Sequence, residues 1–192
     1  MRHHGLALGA ALTMKRGPVR LRVLILACVL ALGLCACSPP EAMSRDEIIA
    51  LVTENEELLQ RAVDDIKLLM ERYTVMWIEK DASGVIAVVR EGGINADKAV
   101  SSDAIADALG LEGIQKVENV GGDIRFACGG GGYGRENLFT GFYYTEHKEP
   151  REEFGAQYEQ KGEGWEYSRP SDRARHYIEH ITGHFYYYED TY

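Results

Sequence analysis

From residue 44 onward the apolar positions form a helical stripe. Ile48, Val52, Leu59, Val63, Ile66, Leu69 and Tyr73 recur at near-heptad spacing, widened by Ile49, Leu51 and Leu58. Glu54, Glu56, Glu57, Asp64 and Asp65 fill the opposite side. Ser44 and Glu47 have capping-box spacing, so the pattern predicts a helix from Ser44 to about Arg72. A helix of about 29 residues would be roughly 43 Å long, more than a domain of this size needs, and a break is expected between Glu54 and Glu57. The stripe is wider than a two-residue coiled-coil seam, which favours packing on the domain's own sheet over a partner helix.

After the helix the period changes to two. V-M-W-I-E-K and V-I-A-V-V-R flank D-A-S-G and predict two strands joined by a turn, with Trp77 in the core and Gly92 and Gly93 closing the unit. A short helix is expected from Asp103 to Leu109, stopped by Gly110. Ile114–Asn119 and Asp123–Cys128 read as strands around the turn at Gly121 and Gly122, and Phe139–Thr145 as a further strand. The fold class expected is α+β: an amino-terminal amphipathic helix packed on a mostly antiparallel, aromatic-rich sheet, forming a single soluble domain over residues 44–192.

One apolar run lies outside this domain. Val23 to Cys37 would reach about 22 Å as a helix, short of the roughly 30 Å hydrocarbon core of a bilayer. Lys15, Arg16, Arg20 and Arg22 precede it and Pro39 and Pro40 follow, the order of an export signal. Its end, L-C-A-C, resembles the lipobox of bacterial lipoproteins, with Leu34 three residues before Cys37 and Ala36 just before it. Cys35 fits less well because it would put Leu34 in the small-residue position. The resemblance implies removal of residues 1–36 and a diacylglycerol thioether on Cys37; residues 37–43 would then be a lipidated tether. An ordinary secretory signal or an uncleaved anchor is the alternative. Met14 opens a more compact signal than Met1, so either methionine can be the start.

Cleavage changes the charge. Every acidic residue follows residue 40, which leaves sixteen basic against thirty acidic residues, a net charge of −14. Such a domain is repelled by nucleic acid and by anionic headgroups, so no nucleic-acid partner is expected and membrane contact is expected through lipid on Cys37. Cys28 and Cys35 leave with the signal and lipid consumes Cys37, so Cys128 stands alone and no internal disulfide can form. It follows I-R-F-A in an apolar run and reads as a small buried hydrophobe rather than a catalytic thiol.

Three features carry candidate chemistry. Gly129, Gly131 and Gly134 satisfy G-x-G-x-x-G, but no Walker lysine follows and R-E-N-L-F-T opens no amphipathic helix; the reading is a turn, with no nucleotide or other cofactor expected. His176, Glu179 and His180 spell H-x-x-E-H, similar to the inverzincin zinc motif. On a helix the two histidines would share a face as metal ligands while Glu179 activated water as the catalytic base. Only twelve residues follow His180, and Gly183 would stop the helix before His184, so surface histidines explain the spacing more simply. Last, fifteen of the eighteen aromatic residues lie in the final sixty positions. Tyr143, Tyr144, Trp165 and Tyr187 are candidates for stacking on sugars or docking wall peptides; alternating strands would instead divide such rings between core and sheet surface.

The order I-R-F-A-C-G-G, a glycine-rich turn, G-F-Y-Y-T, G-W-E-Y and H-Y-I-E-H-I-T-G-H-F-Y-Y-Y-E resembles a group of small uncharacterised lipoproteins of Gram-positive bacteria. The likeness covers roughly residues 120–192. Members of that group often carry an asparagine and a tryptophan where this chain has Gly183, His184 and Phe185. The resemblance implies the outer face of a bacterial cell membrane and brings no activity with it. The function expected is a binding or structural module with a cell-wall or envelope protein partner. A zinc hydrolase at His176, Glu179 and His180, and an envelope-complex subunit docking through helix 44–72, are the alternatives.

Overall fold

The computed structural model describes residues 43–131, 137–150, 157–168 and 174–192, all within the unit Pro40–Tyr192. The signal segment 1–36, Cys37, Met14 and part of the glycine-rich run, Gly134 included, lie outside the described residues. Among the described residues no helix is long and apolar enough to cross a membrane.

The predicted first helix is two helices, α1 (Arg45–Glu54) and α2 (Glu56–Arg72). Ser44 and Glu47 form the expected capping box, the Ser44 amide donating to Glu47 Oε2 at 2.8 Å. The break falls at Asn55, whose φ of −119° and ψ of 20° leave the helical region while its Nδ2 donates to the Leu51 carbonyl at 2.8 Å. A side chain that satisfies a helix-end carbonyl stabilises the end of one helix and permits a change of direction before the next.

The strands are β1 (Val75–Asp81), β2 (Gly84–Glu91), β3 (Ile94–Ala99), β4 (Lys116–Val120), β5 (Asp123–Gly131), β6 (Leu138–Tyr144), β7 (Gln157–Lys161), β8 (Gly164–Ser168), β9 (Arg175–Thr182) and β10 (Phe185–Thr191). The short α3 (Asp103–Ala108) sits between β3 and β4. Its cap, Ser102, accepts from Ile105 N at 3.1 Å and donates to Asp65 Oδ2 on α2 at 2.6 Å. All ten strands join one sheet in the order β3-β2-β1-β4-β5-β6-β10-β9-β8-β7, and each pairing is antiparallel.

Two expectations change. Gly92 and Gly93 do not end a unit: both have positive φ, 58° and 85°, and make a two-residue hairpin turn into β3. I-N-A-D-K-A gave no strand signal because an exposed edge strand needs neither an apolar face nor branched side chains. The segment holding His176 and His180 is likewise not helical. It is β9, hydrogen-bonded to β10 on one side and β8 on the other. The H-x-x-E-H spacing is compatible with a helix, and the residues around it do not alternate; two ready partner strands, β8 and β10, satisfy the backbone of this segment and make it a strand.

The helices cover one face of the sheet. Ile48 and Val52 of α1 and Leu59, Val63 and Ile66 of α2 are at most 2% exposed, packed with Ile78, Val89, Phe126, Phe142, Phe185 and Tyr187. The apolar stripe is therefore consumed within the domain. Because β10 lies between β6 and β9, the two aromatic runs pair in register: Phe185 opposite Tyr144, Tyr186 opposite Tyr143, Tyr187 opposite Phe142. Alternation sends Phe142, Tyr144, Phe185 and Tyr187 into the helix-covered core, with Phe126 and Phe142 stacked at 4.6 Å. Tyr143 and Tyr188 go to the other face, where they cluster with Tyr167 and Ile178.

Candidate functional site

β9 divides the residues of the zinc motif between the faces. His176, Ile178 and His180 point one way, while Tyr177, Glu179 and Ile181 point the other. Four residues along a strand separate His176 from His180 by about 13 Å, against about 6 Å for one helical turn. The structure does not bring the three together. Among the described residues no group of three histidines, cysteines or carboxylates is placed to hold a metal ion.

Each part of the motif has a separate structural partner. Glu179 is 4% exposed and receives the Arg45 guanidinium as a fork: Nε donates to Oε2 at 2.8 Å and Nη2 to Oε1. Tyr177 Oη adds a third donor at 2.8 Å. Burial alone would raise the Glu179 carboxyl, but hydrogen bonds from Arg45 and Tyr177 outweigh it and hold the group below its ordinary value. Burial and the bond to Glu179 push the Tyr177 phenol up to about 12. A carboxylate held ionised by three donors is a poor general base. On the opposite face His176 Nδ1 lies 2.8 Å from Asp190 Oδ1, and its ring stacks on Tyr167 at 4.7 Å. His180 is exposed, with Nε2 3.1 Å from the Gly183 carbonyl.

At the amino-terminal end of α1, where the helices stop covering the sheet, a groove of about 610 Å³ opens over β8, β9 and β10. Its walls carry Arg45, Arg175, Lys161, Glu166 and Glu189, with the tips of Tyr177 and Tyr187. The pairings put Glu166, Tyr177 and Glu189 side by side on three adjacent strands. Lys161 pairs with Glu166, and Tyr187 Oη donates to Glu189 at 3.2 Å. Arg175 is exposed, and its side chain has no hydrogen-bond or ion-pair partner among the described residues. Among the described residues the groove thus presents one uncommitted guanidinium beside phenol and carboxylate groups, a surface suited to a polar ligand that carries a carboxylate.

The sequence-predicted aromatic candidates have mostly structural places. Tyr143 and Tyr144 are 4% and 6% exposed, and Tyr187 is 1% exposed with only its hydroxyl end reaching the groove. Trp165 is half-buried against the second cluster, opposite Ile178. Cys128 is buried, and burial pushes its thiol up to about 12, which removes the thiolate a nucleophile needs.

Sequence reasoning missed Arg45, Arg125, Arg175, Tyr177 and Asp190. Arg45 meets Glu179 across 134 residues and Arg125 meets Asp190 across 65, so no local spacing announces either pair. Comparisons of the chain with profiles of known protein families, with curated proteins and with solved structures found no match in any of the three.

Proposed function

We propose that this chain is a lipid-anchored, extracytoplasmic binding module of the bacterial envelope, built as an α+β domain in which the amino-terminal helices back an antiparallel sheet. The observation that carries the binding part is the groove at the start of α1, where the Arg175 side chain has no partner among the described residues and stands beside Tyr177 and Glu189. An exposed arginine in a concave polar wall is matched by a carboxylate-bearing peptide or glycan of the cell wall. The anchoring part rests on L-C-A-C and its apolar run. With lipid on Cys37, the six residues from Ser38 to Met43 would hold the start of α1, and the groove beside it, within about 20 Å of the headgroups.

The envelope-subunit alternative would have to use side chains other than the stripe, since that stripe is in the core; Leu68, 52% exposed on α2, is what remains. The test has two arms. Labelled fatty acid should enter the full chain and be lost, together with sedimentation in the membrane fraction, in Cys37→Ser. Soluble wall fragments should bind the purified full chain saturably, and Arg175→Gln should weaken that binding by about tenfold, the scale of one charge-assisted contact. Label retained in Cys37→Ser ends the anchoring claim; unchanged binding in Arg175→Gln ends the claim for the groove.

A further inference from the structure

A second groove, of about 480 Å³, opens on the face of the sheet away from the helices. On its wall lies a feature that folding alone does not require. Arg125 projects from the interior strand β5, between β4 and β6, and its side chain is only 22% exposed. Burying a guanidinium is costly unless its donors are used. Nη1 donates to Asp190 Oδ2 at 3.0 Å, yet Nε is buried with no acceptor, and among the described residues Asp190 is the one hydrogen-bond partner of all five donors. The guanidinium carbon sits 4.8 Å from the centre of the Tyr188 ring, which supports the cation without accepting its hydrogen bonds. Asp190 in turn is shared with His176 Nδ1, so its charge is not committed to Arg125 alone.

The surroundings narrow what would use the spare donors. Lys116, paired with Glu118 at 2.7 Å, places a second cation on the wall. At the other side Phe139 and Tyr192 are 40% and 53% exposed and meet edge to face at 5.8 Å, an aromatic lip left in water. The floor between them is Gly129 and Gly130. A Cβ at Gly130, where φ is 155°, would lie 2.5 Å from the Phe139 ring, so any other residue there would push the lip aside. This assigns a purpose to the start of the glycine-rich run other than cradling a phosphate.

We infer that this groove binds a small flat carboxylic acid, its two oxygens on the Nη1 and Nη2 end of the Arg125 guanidinium and its apolar body against Phe139 and Tyr192. A planar guanidinium and a planar carboxylate match in geometry, and the aromatic lip selects for an apolar ring on the acid. The site shares Tyr192 with the groove beside α1 but has its own cation, Arg125, and the inference does not depend on that groove being occupied.

Benzoate is the probe, titrated into the purified full chain and followed by ligand-detected nuclear magnetic resonance, with acetate and inorganic phosphate in parallel. Saturable benzoate binding is expected, with acetate and phosphate each weaker by about tenfold, since acetate lacks the ring and phosphate lacks both the ring and the planar pair of oxygens. Arg125→Lys keeps the charge paired with Asp190 but removes the fork, and should weaken benzoate by about tenfold. Phe139→Ala lies at the surface, leaves the Arg125 pair intact, and should weaken benzoate severalfold while leaving acetate unchanged. Lys98→Gln, on the edge strand β3 four strands from β5, controls for loss of a cation and should bind as the native chain does. The inference is overturned by absence of saturable benzoate binding, by phosphate binding as well as benzoate, or by native benzoate affinity in both Arg125→Lys and Phe139→Ala.

Discussion

The two faces of the sheet solve the same problem with different chemistry. Under α1 and α2 the strands present mainly side chains with no polar atom, Ile78, Val89, Phe126, Phe142 and Phe185, joined by Tyr144 and Tyr187, because the helices supply the complementary apolar surface. On the other face the cluster is Tyr143, Tyr167, Ile178 and Tyr188, edged by Tyr158, Trp165 and Tyr186, with Arg125, His176 and Asp190 set among the rings. A ring that buries its faces and keeps a polar tip can close a sheet surface whose margin stays wet. The difference teaches that stability should be concentrated under the helices and polar recognition on the sheet surface they leave open, beyond the start of α1 and on the tyrosine side.

The largest effect that tests this contrast is in the core. Phe142→Ala removes a ring that stacks on Phe126 and meets Phe185 edge-on at 6.2 Å, and should cost about 3–5 kcal/mol in urea unfolding. Tyr186→Ala, half-buried on the other face, should cost about 1–2 kcal/mol. Equal losses would erase the distinction between the faces.

Next is the buried ion pair. Asp190→Ala leaves Arg125 without its carboxylate and should cost about 3 kcal/mol, most of it recovered when Arg125 is also replaced by Met. Burial tends to raise Asp190, but the hydrogen bond from His176 and the charge of Arg125 prevail and hold its carboxyl below the ordinary value. A group depressed in the folded state contributes stability above its unfolded pKa of about 4, and that contribution is lost as the pH falls through the folded value. Glu179, on the helix face, is depressed in the same sense. Both faces should therefore weaken together below about pH 4, and Asp190→Ala should flatten the acid limb of a stability-against-pH curve. An acid limb unchanged in that variant would show that Asp190 is not ionised by its neighbours.

Arg45→Gln should cost about 1 kcal/mol by chemical denaturation, since Arg45 is 40% exposed and solvent screens much of its attraction to Glu179. A loss above about 3 kcal/mol would place this pair with the buried one. The smallest effect is chemical. With its thiol pushed up to about 12, Cys128 should resist iodoacetamide at pH 8 in the folded chain and react once the chain is unfolded in urea. Rapid labelling of the folded protein would mean that the strand around Cys128 opens readily.

Much of the architecture was legible locally. The capping box at Ser44, the break before Glu56, the turn at Asp81 to Gly84 and the cap at Ser102 depend on residues within four positions of one another, and short-range physics does not need the rest of the chain. β3 carries little signal because an edge strand can be held by its backbone with only two alanines and an exposed Ile94 for apolar residues, and H-x-x-E-H in β9 is consistent with either period until its neighbours are known. The candidate sites were less legible still. Both grooves are lined by residues far apart in the chain, such as Arg45 with Arg175 and Arg125 with Asp190, and no motif spacing links them.

By itself the chain determined its periodicities: a stripe wide enough to demand a sheet beneath it, alternating rings destined for opposite faces, and an apolar run ending in L-C-A-C. Tertiary structure alone decided that β10 inserts between β6 and β9, and that insertion set which tyrosines meet, which carboxylate each arginine finds, and where the two grooves open. The physical reason is that hydrophobic pattern specifies which face of an element is buried, whereas charge pairing and concavity depend on which elements become neighbours.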